Sequence, residues 1–207
     1  DFSYRKMKEE IEELNREVKR CRRCRLYETR KNALHGEGNG NTKLMIVAQA
    51  PGENEDREGK MFIGPSGKKL NELFERVGIN RREIYMTNLV KCMLPKYRKP
   101  KQDEIQACSQ YLNKEIDLIN PAIISPLGYY PTKYILEKYG ISVPRSKSEF
   151  LAVYGKVFQT ENKKILPLAH PATLLYNEFI WEEMTENYKK MKILLESISF
   201  RNGQLRP

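Results

Sequence analysis

Residues 44–70 read LMIVAQAPGENEDREGKMFIGPSGKKL, and the fold turns on how this stretch divides. Leu44–Ala48 is a short, continuous apolar run, the pattern of a strand buried on both faces of a parallel sheet. The segment after it carries Pro51, Gly52, Gly59, Gly64 and Pro65, the acids Glu53, Glu55, Asp56 and Glu58, and one large aromatic, Phe62. A polar loop of this length is uncommon inside a compact domain unless it binds something. In open parallel sheets, ligands sit at the carboxyl ends of the strands, which is where this loop begins.

Three more apolar runs share the character of the first: 84–90, 122–127 and 164–169. Helical patterns separate them at about 67–76, 102–119 and 131–139. Before the first strand, 4–20 spaces Tyr4, Met7, Ile11, Leu14 and Val18 as one helical face, and a last helix covers about 181–198. HGEGNGNT (35–42) reads as a loop, AVYGKVFQT (152–160) as an added strand forming a hairpin with the fourth run, and RNGQLRP (201–207) as a frayed end. Alternating strands and helices predict an α/β fold, a three-layer α/β/α sandwich around a central, mainly parallel four-stranded sheet, with residues 1–207 as one domain. Three polar segments then meet at the strand ends: 48–70, Thr87–Asn88 and His170–Pro171.

Among the 207 residues, 37 Lys and Arg against 27 Asp and Glu leave a net charge of +10. That excess favours a polyanionic partner, nucleic acid first. No apolar run is long enough to cross a membrane and the first residues lack a signal-peptide core, so a cytoplasmic protein is expected. The four cysteines are then reduced, as metal or cluster ligands rather than disulfides. Cys21 and Cys24 form a C-x-x-C pair, and Cys92 and Cys108 supply a second pair. Four thiolates suit zinc or a 4Fe–4S cluster, and the spacing alone does not separate the two. Arg20, Arg22, Arg23, Arg25 and Lys91 flank the ligands and would offset their negative charge. The loop 91–101 adds Lys96, Arg98 and Lys99 on a proline-stiffened turn suited to phosphates.

Taken in order, APGENEDREGKMFIGPSGKKL (50–70), TNLVKC (87–92), Cys108, PLG (126–128) and HPATLLY (170–176) resemble the family 4 uracil-DNA glycosylases, the iron–sulfur type of archaea and thermophilic bacteria. The resemblance spans about residues 17–196. It implies a structural 4Fe–4S cluster on Cys21, Cys24, Cys92 and Cys108, and excision of uracil from DNA to leave an abasic site. It implies a uracil pocket of Gln49, Ala50, Pro51, Gly52, Glu55, Phe62, Asn88 and His170. There Phe62 stacks on the flipped base, Asn88 reads its edge, Glu55 screens out thymine and His170 donates to uracil O2. Gly64, Ser66 and Gly67 suit a DNA phosphate. Pro171, Ala172 and Thr173 would meet the DNA, and Leu174, Leu175 and Tyr176 are candidates for wedging into the minor groove.

Two positions depart from the family pattern. Gln49 stands where the motif has Glu, so it can hold a water but not act as a carboxylate base, and Tyr176 replaces a common arginine. The alternative reading is therefore a protein of the same fold that binds uracil or abasic DNA with little or no turnover. Uracil-containing DNA is the expected partner, with a replication clamp or another repair enzyme as a candidate second one. A monomer near the nucleoid is expected, away from any membrane.

Overall fold

The computed structural model describes residues 2–203. Helix α1 (Phe2–Lys19) precedes strand β1 (Glu37–Gly38) and strand β2 (Leu44–Ala48). Then come α2 (Glu53–Glu58), α3 (Pro65–Val77), β3 (Tyr85–Asn88), α4 (Gln102–Ile119), β4 (Ile123–Pro126) and α5 (Tyr129–Lys138). The short α6 (Lys147–Leu151), β5 (Phe158–Gln159), β6 (Lys164–Ile165) and the long α7 (Trp181–Gly203) complete the chain.

The sheet order is β1-β3-β2-β4-β6-β5. The four inner strands are parallel, as expected. Two antiparallel edge strands extend the sheet to six. One of them, β1, lies inside the segment expected to be loop. The other, β5, pairs with β6 as the expected hairpin, but is confined to Phe158–Gln159. Successive side chains of a strand face opposite sides, and β2 shows why its run had to be continuous. Met45 and Val47 join a core with residues of α1, α4 and α5, whereas Leu44, Ile46 and Ala48 join one with α3 and α7. That is the three-layer sandwich, with both faces of the sheet covered.

Inside the opening stretch, residues 53–58 are helical, not loop. Glu53, Glu55 and Asp56 fall in the first turn of α2, where the helix dipole favours them, and Gly59 closes it at φ 71°. Helix α3 starts with Pro65, whose missing N–H costs nothing at a helix start. At the C-terminus, α7 continues through 201–203, and the rest of the expected frayed end, 204–207, lies outside the described residues. Among the described residues, no helix is long and apolar enough to cross a membrane.

Candidate active site

Register determines which residues meet. Ala48 ends β2 opposite Asn88, which ends β3. A bridge between Leu127 and Leu168 carries the line of β4 and β6 to within two residues of His170. The three polar segments therefore converge at the carboxyl edge of the sheet, around a pocket of about 400 Å³. Gln49, Ala50, Pro51, Gly52, Glu55, Phe62, Asn88 and His170 all line it, together with Met61 and Tyr97, which the sequence did not single out.

Phe62 is buried and adopts φ 50°, a left-handed conformation costly for a bulky residue. Three contacts fix it. The Arg81 guanidinium donates to the Phe62 carbonyl at 3.0 Å and also to that of Met61. On the other side, Gly67 of α3 lies so close that a Cβ there would be 2.0 Å from the Phe62 carbonyl oxygen. The Phe62 ring is stacked with that of His170, centroids 6.2 Å apart.

His170 is half-buried at the start of the 3-10 turn Pro171–Leu175, and its Nδ1 accepts the Ala172 N–H at 3.0 Å. Burial pushes its pKa down to about 4. The ring is thus neutral near pH 7, and with Nδ1 accepting, the proton sits on Nε2. Asn88 is buried, and its amide donates to the Met61 sulfur at 3.2 Å. Gln49 is half-buried; Val90 N–H donates to its backbone carbonyl at 2.9 Å, while its carboxamide has no protein hydrogen-bond partner among the described residues.

Several expected residues are engaged elsewhere. The Glu55 carboxylate lines the pocket, but Oε2 accepts the Ile63 and Gly64 N–H groups at 3.0 and 2.7 Å, bracing the turn that carries Phe62. Gly64 N–H is thereby used, which leaves those of Ser66 and Gly67 without intrahelical acceptors at the start of α3. Arg98 is forked onto buried Glu104 at 2.8 and 2.7 Å, so its charge is committed inward, whereas Lys96 and Lys99 are exposed. Leu174 is 1 % exposed and belongs to the core under α3, so it is not free to wedge. Pro171 is buried and Ala172 half-buried, while Thr173, Leu175 and Tyr176 are exposed. Phe179 is 99 % exposed and went unnoticed in the sequence.

Cys21, Cys24, Cys92 and Cys108 line one hollow between the segment after α1, the loop after β3 and α4. N–H groups point at three of the sulfurs: Arg23 N at Cys21 (3.4 Å), Arg30 Nη1 at Cys92 (3.4 Å) and Lys91 N at Cys108 (3.2 Å). Burial pushes the Cys108 thiol up to about 12 and raises Cys24 and Cys92. As bare side chains they are protonated thiols, so ligation needs a cationic centre to expel the protons. Among the described residues, no three His, Cys, Asp or Glu side chains converge as ligands of a single ion do.

Lys91 meets the cysteines in two ways: its backbone N–H donates to Cys108 Sγ, and its charge favours the Cys108 thiolate, as expected. Its ammonium turns inward to Glu115 and is 98 % hidden, a placement that the basic sequence around it concealed. A readable trace did exist: Glu115 sits among Leu112, Ile116 and Ile119 on the apolar face of α4. Arg30 and Arg81 left no such signal.

A family model for the uracil DNA glycosylase superfamily matches residues 35–195. Type-4 uracil-DNA glycosylases of Sulfurisphaera tokodaii and Saccharolobus solfataricus are each 41 % identical to the chain, over 89 % and 87 % of it and 84 % of each relative. That of Archaeoglobus fulgidus is 32 % identical over 88 % of the chain and 92 % of its own length. With the strand-end pocket and the four-cysteine hollow, these likenesses establish that the chain belongs to the uracil-DNA glycosylase superfamily, in its type-4 family.

Proposed function

We propose that the protein takes uracil out of the DNA stack and hydrolyses its N-glycosidic bond, leaving an abasic site. The observation that carries this is the meeting of His170, whose Nδ1 accepts the Ala172 N–H and so leaves Nε2 for the proton, with Phe62 and Asn88 in one pocket. A glycosylase must flip its base to reach the bond. Phe62 offers the flipped base a face, and the Asn88 carboxamide offers both a donor and an acceptor for its edge. As the bond from C1′ to N1 breaks, its electron pair moves to the uracil ring and oxygens. Nε2–H of His170 stabilises the developing charge at O2 without being protonated first. Water adds to the cationic C1′ and releases its proton to solvent. Gln49 orients that water through its unpaired carboxamide. Glu55 acts through the backbone, by keeping Phe62 and the start of α3 in place.

Ser66 and Gly67 at the start of α3, with Lys96 and Lys99, suit DNA phosphates. Leu175 and Tyr176 are the wedge candidates that remain exposed. Cys21, Cys24, Cys92 and Cys108 suit a 4Fe–4S cluster. The four sulfurs line one hollow, and the likeness to the type-4 family supports the cluster over a single zinc. When bound, the cluster supplies a crosslink between the segment after α1 and the loop after β3, and no step of bond cleavage. The chain is proposed to act as one domain.

Incubation with a uracil-containing oligonucleotide and its thymine counterpart, then alkaline cleavage of abasic sites, tests the reading. Strand breakage at uracil alone is expected. Intact uracil DNA despite tight binding would instead identify a non-catalytic uracil reader, with Gln49 as the cause.

A further inference from the structure

Beneath the pocket lies a buried polar network that none of the roles above uses. The Lys91 ammonium donates to Thr87 Oγ1 at 2.6 Å, to the Asn88 carbonyl at 2.7 Å and to Glu115 Oε1. Its three protons are thus all placed. Glu115 in turn accepts from the Thr87 hydroxyl at 3.0 Å and the Tyr85 hydroxyl at 2.7 Å. Gly36 leaves room for the pair, since a Cβ there would lie 2.1 Å from the Tyr85 hydroxyl and 2.5 Å from the Glu115 carboxylate.

A buried ion pair is weak evidence for stability, because desolvation offsets most of the attraction and a hydrophobic replacement often does as well. The informative fact is what the ammonium holds. Beyond its counter-ion, it binds both residues that end β3. Asn88 is the last residue of that strand, and its carbonyl receives a charged donor where the ladder runs out. We propose that Lys91 is a positioning residue for base recognition: its ammonium, seated between Thr87, Glu115 and the Asn88 carbonyl, pins the Asn88 backbone and so aims the carboxamide at the base. The same residue's N–H bonds Cys108, so the strand end and the cysteine hollow share one anchor. Loss of that donor would let Asn88 turn while the pocket walls stayed intact.

This inference rests on the uracil reading of the pocket, and the test separates the two. The double variant Lys91→Met/Glu115→Gln removes both buried charges and keeps the 91 N–H on Cys108. It is compared with Glu115→Gln alone, in which position 91 still reaches the Asn88 carbonyl, and with the unaltered protein. Single-turnover excision, affinity for uracil-free duplex, melting temperature and bound iron are measured for each. The double variant is expected to melt near the unaltered protein and keep its iron and duplex affinity. It should excise uracil at least ~10-fold more slowly, about the factor for one lost charged hydrogen bond. Glu115→Gln alone should lie closer to the unaltered rate. Excision by the double variant within ~3-fold of the unaltered rate would overturn the inference. Loss of iron or of folding in the double variant would do the same, because the network would then support the cysteines or the core rather than Asn88. No excision by the unaltered protein would instead overturn the reading of the pocket.

Discussion

Gly67→Ala separates two opposite expectations. Within a helix, Ala is normally worth about 1 kcal/mol over Gly, so local propensity predicts a more stable protein. At Gly67, however, the new Cβ would lie 2.0 Å from the Phe62 carbonyl oxygen and 2.2 Å from its carbonyl carbon. Real Cβ atoms essentially never come within 3.0 Å of such neighbours, so either the peptide or the helix must shift by about 1 Å. The peptide cannot drift freely, because Arg81 grips the carbonyls of Met61 and Phe62. Overpacking of this kind costs about 1–3 kcal/mol. Set against the propensity gain, a net loss of about 0–2 kcal/mol remains, which lowers the melting temperature by up to about 8 °C in a chain of this size. The functional loss should be larger, because a stacking ring displaced by about 1 Å can cost about 100-fold in rate. Thermal melting and single-turnover excision measure the two, with exposed Lys68→Ala as a control expected to stay within about 2 °C. A Gly67→Ala protein that melts at or above the parent and excises within ~3-fold of it would refute the claim that α3 holds Phe62 by backbone contact.

Leu174→Ala should cost about 2–4 kcal/mol as a core truncation, whereas Leu175→Ala should leave melting almost unchanged and slow excision from duplex DNA; equal melting losses would contradict their assigned places. Arg98→Ala removes the fork on the buried Glu104 carboxylate, leaving it only Arg25 at 3.5 Å and the Lys101 N–H, and should destabilise the protein by about 1 kcal/mol. Lys99→Ala should instead spare stability and lower the salt dependence of DNA binding by about one unit of slope; the reverse pattern, read by denaturant melts and salt titrations, would show Arg98 free to meet phosphates. His170 has its pKa lowered to about 4 by burial, so its contribution to stability is complete above the unfolded value of about 6.5 and is lost as pH falls from there toward 4. The acid limb of excision due to His170 should therefore sit near pH 4 in the parent; a limb near 6.5 that vanishes in His170→Ala would mean the ring is solvated.

The fold was legible because its signals are periodic. Continuous apolar runs marked all four inner strands, since a strand covered on both faces has no polar side to show. The edge strand β1 is two residues, too short for any period, and β5 was expected as a hairpin strand but over a longer span than its two residues. Helix α2 was hidden because its first-turn acids read as loop polarity. At the site, most residues that face the pocket were found by motif, Met61 and Tyr97 excepted, while those that hold them were not. The jobs of Glu55, Arg98 and Lys91 depend on backbone atoms and counter-ions distant in the chain, which residue type alone does not reveal. Arg81 lies 19 residues from the carbonyl it grips. Leu174 and Leu175 look alike in sequence, and only the turn of the 3-10 segment sends one inward and the other out.

Gln49 gains its meaning from this same distinction between facing and holding. A carboxylate there would be a base; a carboxamide can accept from one water hydrogen and donate to another acceptor, but cannot take the proton. General base catalysis is typically worth about 10²–10⁴-fold, so the substitution matters most if attack by water limits the rate. In this pocket the stabilising groups act earlier. In the proposed mechanism, Phe62 and Asn88 address the base, and Nε2–H of His170 addresses charge that develops on uracil as the bond breaks. Once that bond has opened, the sugar cation is electrophilic enough for neutral water. Had the pocket depended on a base, its one lining acid among the described residues would be the natural replacement, yet Glu55 Oε2 braces the Ile63 and Gly64 N–H groups. A site with a carboxamide at 49, its one acid tied to the backbone turn and a fixed donor for the leaving uracil suits departure of the base first and capture of water second.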